Sequence, residues 1–170
     1  MTTYFSEMDS PVGCLLLQGD GQFLTGLHMP LHKWWDGLEA DWERSDEAFA
    51  MARAQLAEYF AGERQEFDVP LRLVGTPYQQ RVWQELQNIP FGQTITYAEL
   101  ARRVGQPTAA RAVGHANSRN PVSIIVPCHR VIGVNGKLTG YAGGLDRKEW
   151  LLAWERGVVP VAQRELFAVV

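Results

Sequence analysis

The stretch from Ile124 to Arg130 constrains the fold most, because it joins a segment that must be buried directly to chemically reactive side chains. Its first three residues are apolar and β-branched, which predicts a buried strand. Pro127 predicts the end of that strand, since proline has no N–H to donate to a neighbouring strand. Cys128 and His129 follow at once, and a cysteine beside a base has the ingredients of an activated thiolate. Residue types alone favour a reactive cysteine and a structural cysteine equally.

The cysteine count and the chain start indicate the cellular setting. Cys14 and Cys128 are the only cysteines among 170 residues, so the sequence predicts no disulfide framework and a reducing, cytoplasmic location. The first residues lack the basic and apolar regions of a secretory signal, and no apolar run is long enough to span a bilayer. We therefore expect no membrane association. Cys14, His28 and His32 lack a paired-ligand spacing, so we expect no bound metal.

The chain divides near Val74-Gly75 into two halves of opposite charge. Residues 1–74 carry 5 basic and 13 acidic side chains, a net charge of −8, whereas residues 75–170 carry 11 and 6, a net charge of +5. This asymmetry predicts that any polyanion binds the second half. Simple solvation of a basic surface explains a charge of this size equally well. We predict two domains, residues 1–74 and residues 75–170.

The first half has the pattern of a small sheet followed by one helix. Short apolar runs at residues 3–6, 14–17 and 23–28, separated by glycine-rich turn signals, predict an antiparallel meander. Ser45 is a suitable N-cap for a helix with one apolar face, which Gly62 ends.

Two capping patterns predict helices in the second half. Thr76, Pro77 and Gln79 form a capping box with proline at the first helical position. Thr96 and Glu99 repeat the capping box before a second helix. The sequence therefore predicts a mixed α/β (α+β) fold, in which a sheet-plus-helix domain precedes a mostly helical one.

A third helix, over residues 109–118, consists mostly of small side chains around Arg111. Together with the preceding helix it predicts a helix-turn-helix, although an ordinary helical hairpin with a solvated Arg111 fits the same pattern. Residues 133–136 predict a hairpin turn, and Asp146 predicts the cap of a last helix. From Val158 onward we expect a tail.

Several motifs in the second half occur together and in a characteristic order: Pro127-Cys128-His129-Arg130-Val131, Ala109-Ala110-Arg111-Ala112-Val113-Gly114, Asn120-Pro121-Val122, Tyr97, Gly140-Tyr141, Gly143-Gly144 and Lys148-Glu149-Trp150-Leu151-Leu152. Through them the chain resembles the methylated-DNA–protein-cysteine methyltransferases, which repair O6-alkylguanine. The first half resembles this family only loosely, through Asp9-Ser10-Pro11 and Glu58-Tyr59-Phe60. The resemblance implies an RNase H-like first domain and a DNA-binding second domain.

The resemblance also implies a reaction. Cys128 would accept the alkyl group from the guanine oxygen, with His129 acting as base through a bound water and Glu155 orienting the imidazole. The product, an S-alkylcysteine, is a thioether and a very poor substrate for reversal. The resemblance thus implies one turnover for each protein molecule, with no cofactor.

The implied partner is double-stranded DNA that contains alkylated bases, bound through the minor groove by a protein monomer. The target base must leave the duplex to reach a buried sulfur. Arg111 would fill the space that the target base vacates. The small side chains around Arg111 would let the helix enter a narrow groove. The residues of that helix expected at the DNA are Ala110, Arg111, Gly114 and Ser118.

The resemblance assigns further residues to the flipped base. Tyr97 would help to rotate the nucleotide and would hydrogen-bond the base, and Tyr141 would form a wall of the pocket. Asn120 would hold the turn that braces the cysteine. Main-chain groups of three residues would read the guanine edge: Cys128, Val131 and Ala142.

Some points stay open at the level of sequence. Ala142 stands where some relatives carry serine, and His115 adds a titratable group that either contacts the DNA backbone or is simply solvated. Two other functions, a DNA-binding protein without transfer activity and a cysteine hydrolase, use some of the same residues. The sequence does not predict the preference among alkyl groups, activity on O4-alkylthymine, clustering along DNA, or the role of the first half.

Overall fold

In the computed structural model, which describes residues 1–30, 32–33 and 35–159, the first half of the chain is built on a four-stranded sheet. Strands β1 (Tyr4–Met8), β2 (Leu15–Gly19) and β3 (Leu24–His28) form the predicted antiparallel meander. A two-residue strand β4 (Glu43–Arg44) pairs in parallel with β1, which gives the order β3-β2-β1-β4. The sequence does not predict β4, because two exposed charged residues carry no strand pattern.

Helix α1 (Ala50–Phe60) completes the first half. It follows a 3-10 turn (Glu47–Phe49), and the predicted N-cap is wrong: the residues that precede the 3-10 turn and α1 are Asp46 and Phe49. The Ser45 Oγ accepts a hydrogen bond of 3.2 Å from the Ala48 N–H, one residue ahead of the cap position. The Tyr59 side chain in the last turn of α1 is fully buried in a core that both halves of the chain share.

The second half is mostly helical, which confirms the predicted fold class. The capping box forms as predicted: Thr76 Oγ accepts a hydrogen bond of 3.1 Å from the Gln79 N–H, and Gln79 Oε1 accepts one of 3.0 Å from the Thr76 N–H. The second and third helices of this half pack against each other as a helix-turn-helix. The four helices are α2 (Pro77–Leu86), α3 (Tyr97–Arg103), α4 (Ala110–Ser118) and α5 (Leu145–Glu155).

Two predicted helix starts differ in detail from the structure. Thr96 caps α3 through a single hydrogen bond of 3.1 Å from the Glu99 N–H, because the Glu99 carboxylate binds two arginines of the same helix instead. Helix α5 begins at Leu145 after Gly144, which has φ 96°. Asp146 therefore lies in the first turn, where it interacts favourably with the helix dipole, and is not the cap.

The predicted strand at residues 124–126 is wrong, although the predicted burial is correct. All three side chains are at most 8% exposed, yet the backbone forms a turn in which Ile124 has φ 72°. The Val126 N–H donates a hydrogen bond of 3.0 Å to the Val122 carbonyl, which a strand could not do. The predicted hairpin is also absent from the described chain: Val134–Gly136 is a 3-10 turn with no strand after it.

Strand β3 joins the two halves next to this turn. The Leu27 N–H donates to the Pro121 carbonyl at 2.9 Å, and the Ser123 N–H donates to the Leu27 carbonyl at 3.1 Å. The sheet of the first half thus supports the segment that leads to Cys128. The division at residues 74 and 75 stays a prediction, and the predicted tail lies outside the described residues from residue 160 onward. None of the helices in the described ranges is long and apolar enough to cross a lipid bilayer.

Candidate active site and DNA-binding surface

Cys128 lies on the wall of a cavity of about 570 Å³ between the two halves of the chain. It is the first residue of a 3-10 turn (Cys128–Arg130) that leads into the short strand β6 (Val131–Ile132), the parallel partner of β5 (Ile95–Thr96). The side chain is 5% exposed, so it is shielded from bulk water but borders the cavity. A group that enters the cavity can therefore reach the sulfur.

The fold brings most of the sequence-predicted site residues to this one cavity. Three do not line it: His129, Glu155 and Val131. His129 and Glu155 form a buried pair, and the Val131 carbonyl accepts a hydrogen bond from Lys148. The nine predicted residues that line the cavity are Tyr97, Ala110, Arg111, Gly114, Ser118, Asn120, Cys128, Tyr141 and Ala142.

Asn120 holds the turn that precedes Cys128. Its side-chain Nδ2 donates hydrogen bonds to the Val126 carbonyl at 2.7 Å and to the Val122 carbonyl at 3.3 Å. Its Oδ1 accepts a hydrogen bond of 3.0 Å from the Val122 N–H. The side chain is 1% exposed, so water cannot replace these bonds. This amide stabilises the left-handed backbone at Ile124 and so fixes where the cysteine turn begins.

Replacing Asn120 by alanine should lower the free energy of unfolding by about 2–3 kcal/mol, because buried main-chain groups lose their partners. The alkyl-transfer rate should fall as well, since the turn before Cys128 loosens. Denaturant unfolding measures the first effect. The matched control is Asn88→Ala at an exposed asparagine, which should change stability by less than about 0.5 kcal/mol. Equal effects of the two substitutions would contradict the bracing role.

Glu155 is the centre of a buried hydrogen-bond network behind the cysteine. Its two carboxylate oxygens accept hydrogen bonds from Tyr59 Oη at 2.7 Å, from Arg130 Nε and Nη2 at 2.8 and 2.9 Å, and from the Gly92 N–H at 3.3 Å. His129 Nε2 lies 2.8 Å from Glu155 Oε2. Every lone pair of a buried carboxylate is thus used, which fixes its orientation.

The electrostatics of this network favour a neutral imidazole beside an ionised carboxylate. Burial lowers the pKa of His129, and Arg130 and Lys148 lower it further against the raising effect of Glu155. Burial disfavours the ionised form of Glu155. The nearby His129 and Arg130 outweigh this effect and hold the pKa of Glu155 well below its usual range. The other ring nitrogen, His129 Nδ1, is buried without a hydrogen-bond partner among the described residues. A neutral ring oriented through Nε2 leaves Nδ1 able to accept a proton.

The thiol of Cys128 needs such a base. Burial raises its pKa, although interactions with Asn120, Lys148 and Tyr141 partly offset that effect. Lys148 is fully buried, and burial lowers its pKa to about 8. Its Nζ donates a hydrogen bond of 2.6 Å to the Val131 carbonyl and lies 3.4 Å from Tyr97 Oη. A buried ammonium near the sulfur stabilises a thiolate once the proton has left.

Helix α4 presents Arg111 at the mouth of the cavity. The side chain is exposed and makes no hydrogen bond or ion pair with any residue that the structure describes. It borders both the cysteine cavity and a neighbouring apolar groove that also contains Tyr78 and His115. An exposed arginine on a helix of small residues can enter a narrow groove of DNA. In the described ranges, no group of three His, Cys, Asp or Glu side chains is placed to bind a metal ion.

Sequence reasoning missed several residues at this site. Tyr59 reaches the buried carboxylate from the first half, and His32 and Lys33 line the cavity from the same half. Asn117 donates a hydrogen bond of 3.3 Å to the Cys128 carbonyl. Lys148 was noted in the sequence only as part of a family motif, and the motif assigned no role to it. All of these contacts join parts of the chain that are distant in sequence or lie on different elements, so no local pattern identifies them.

The comparisons with known proteins agree with this geometry along both halves of the chain. Residues 3–73 match the family described as 6-O-methylguanine DNA methyltransferase, ribonuclease-like domain. Residues 77–157 match the family described as 6-O-methylguanine DNA methyltransferase, DNA binding domain.

Individual relatives are similar over almost their whole length. The methylated-DNA–protein-cysteine methyltransferase of Mycolicibacterium paratuberculosis is 51% identical over 158 residues, which cover 93% of this chain and 95% of the relative. The protein of the same description from Methanosarcina acetivorans is 51% identical, covering 89% and 97%. The crystal structure of Mycobacterium tuberculosis OGT in complex with DNA matches with a TM-score of 0.88 at 49% identity, covering 96% of this chain and 99% of that one.

Proposed function

The chain belongs to the family of methylated-DNA–protein-cysteine methyltransferases, and from this premise we propose that it repairs DNA by moving an alkyl group from O6-alkylguanine onto the sulfur of Cys128. The observation that carries this proposal is the buried thiol on a cavity wall, with the His129–Glu155 pair behind it. A relative crystallised with DNA supports DNA as the partner.

The proposed reaction is a displacement at the alkyl carbon. His129 takes the thiol proton through a bridging water, and the resulting thiolate attacks the alkyl group. A carbon–sulfur bond forms as the carbon–oxygen bond breaks, and the electron pair of that bond passes to the guanine. The guanine takes up a proton and is restored, while the protein keeps the alkyl group as a thioether. Because a thioether is a very poor donor of its alkyl group, each molecule reacts once.

Tyr97 and Tyr141 line the cavity, with the Tyr97 ring beside Gly114 of α4, and in our proposed complex they would enclose the flipped base. The Tyr97 hydroxyl already donates a hydrogen bond of 3.0 Å to the Thr139 carbonyl, so it is held at the cavity wall. Asn120 braces the cysteine turn, and the main chain of Ala142, which lines the cavity, would read the guanine edge. The Val131 carbonyl does not line the cavity and already accepts a hydrogen bond from Lys148, so it would take part only where the bound base exposes it.

The duplex would be bound through its minor groove by a monomer. The small side chains of Ala110 and Gly114 let α4 approach the sugar-phosphate backbone closely, and Ser118 extends the same face. Arg111 would enter the stack where the base has left. We assign this binding to the second domain, residues 75–170, whose net charge of +5 suits a polyanion.

One mass measurement tests the proposed function. The protein is mixed with an excess of duplex DNA containing O6-methylguanine, and its mass is determined before and after digestion. We expect the mass to increase by one methyl group in place of a hydrogen, located on the peptide that contains Cys128, and the reaction to stop at one equivalent. No mass increase would favour a lesion-binding protein, and continued turnover on an ester or amide would favour a hydrolase.

A further inference from the structure

The first half of the chain reaches the buried relay through one side chain. Tyr59, in the last turn of α1, is fully buried and donates a hydrogen bond of 2.7 Å to Glu155 Oε2. The same oxygen lies 2.8 Å from His129 Nε2. The Tyr59 hydroxyl therefore shares an acceptor atom with the imidazole that would take the thiol proton. It is 96 residues away from Glu155 in sequence and belongs to the other half.

A second hydrogen bond joins the same elements without touching the relay. Trp154 Nε1 donates a hydrogen bond of 3.2 Å to the main-chain carbonyl of Tyr59. The Tyr59 ring also packs against the rings of Phe60, Phe67 and Phe91. The Trp154 bond thus joins α1 to α5, and the ring contacts hold the Tyr59 side chain in place, both without the hydroxyl. Packing therefore does not explain why the ring carries a hydroxyl, and phenylalanine would serve equally well at an interface that only packs.

The hydroxyl is a permanent donor. Burial raises the pKa of Tyr59 well above its ordinary value of 10.0, and the nearby Glu155 carboxylate raises it further. The phenol thus stays protonated at all physiological pH values, and its only strong acceptor in the described structure is Glu155 Oε2. Such a donor withdraws electron density from this oxygen and fixes its position relative to the imidazole.

We propose that Tyr59 is a positioning residue for alkyl transfer, through which the first half of the chain sets the orientation and the basicity of the His129–Glu155 pair. This inference rests on the proposed function, since it assigns His129 the role of base. It also gives the acidic first half a part in the chemistry. Tyr59 touches neither the sulfur nor the alkyl group, and it acts only through Glu155.

The test compares Tyr59→Phe with Trp154→Phe. Each variant removes one hydrogen bond between α1 and α5 and keeps an aromatic ring, so both should fold and should lose similar stability, as thermal unfolding will show. The rate of single-turnover reaction with free O6-benzylguanine is measured across pH, because this substrate needs no DNA. We expect Tyr59→Phe to react about tenfold more slowly, as for loss of a hydrogen bond to a charged group, and Trp154→Phe to react within about twofold of the original rate.

The pH profile separates positioning from stability. Without the phenol, Oε2 carries more negative charge, so the His129 ring should hold a proton more strongly. The acid limb of the rate profile should then move to higher pH in Tyr59→Phe and stay in place in Trp154→Phe. The other charged groups that face His129 are Arg130 and Lys148, and both are unchanged in the two variants. Nitrogen-15 NMR of the His129 ring should show the same displacement directly.

The possible outcomes are distinct. If the unaltered protein gains neither a benzyl group from O6-benzylguanine nor a methyl group from O6-methylguanine DNA on Cys128, the proposed function fails and the role of Tyr59 fails with it. If only the DNA reacts, the same rates and pH profiles are measured on the DNA. If the unaltered protein reacts but the two variants have the same rate and the same pH profile, only the inference about Tyr59 is overturned. A slower Tyr59→Phe protein with an unmoved acid limb would also overturn it, because the loss would then be structural.

Discussion

Cys128→Ala should abolish alkyl transfer and leave binding to O6-methylguanine DNA within about threefold of the original affinity, because the substitution removes one sulfur from a cavity wall and no surface group. Displacement at carbon needs a soft, strong nucleophile, and the thiolate is the one that this cavity offers among its described lining residues. Incubation with a methyl-labelled duplex measures transfer, and fluorescence anisotropy measures binding. We expect no methyl transfer above the detection limit of this assay.

The second cysteine provides the matched control for this experiment. Cys14 is partly buried in the first half, with Sγ 3.9 Å from a Glu7 carboxylate oxygen. Burial raises the pKa of its thiol, and the negative charges of Glu7 and Asp9 raise it further, so it stays protonated. Cys14→Ala should therefore still accept one alkyl group per molecule. If the Cys128→Ala protein takes up the labelled methyl group, or the Cys14→Ala protein takes up none, then Cys128 is not the acceptor.

Local sequence patterns predicted the secondary-structure elements that neighbouring residues determine. The Thr76 capping box, the small-residue helix α4 and the three-stranded meander all depend on neighbouring residues, and all form. The turn at residues 124–126 differs because its cause is a side chain outside the run. The Asn120 side chain donates two hydrogen bonds and accepts one, and these stabilise a backbone that β-branched residues do not favour on their own.

The site shows the same division between local and distant causes. The Cys128–His129 dipeptide is visible in the sequence, but adjacency alone does not show that the two side chains cooperate. Glu155 received its role, and Arg111 its place in the base stack, only from the family resemblance. Tyr59 received none, because its contact with Glu155 depends on how α1 packs against α5 across the two halves. The role of the first half could therefore not be read from its composition, which shows only an acidic surface.

Arg111→Ala should slow repair of O6-methylguanine in duplex DNA by about 10- to 100-fold, since nothing then occupies the space that the flipped base leaves and re-stacking competes with transfer. The reaction with free O6-benzylguanine should stay within about twofold, because Arg111 is exposed at the mouth of the cavity and contacts none of the groups of the buried relay. Rapid-quench measurements on the two substrates give the ratio of the two effects. An equal loss on both substrates would show that Arg111 supports the cavity itself.

Arg111→Lys separates the charge of this side chain from its planar shape. Lysine keeps the attraction to phosphates, so affinity for DNA and its decrease with rising salt should resemble those of the original protein. A flexible ammonium stacks poorly between bases, so the rate on duplex DNA should remain close to that of Arg111→Ala. Recovery of the duplex rate in Arg111→Lys would instead assign the arginine to phosphate binding. The pair of variants therefore decides whether α4 acts on the base stack or only on the DNA backbone.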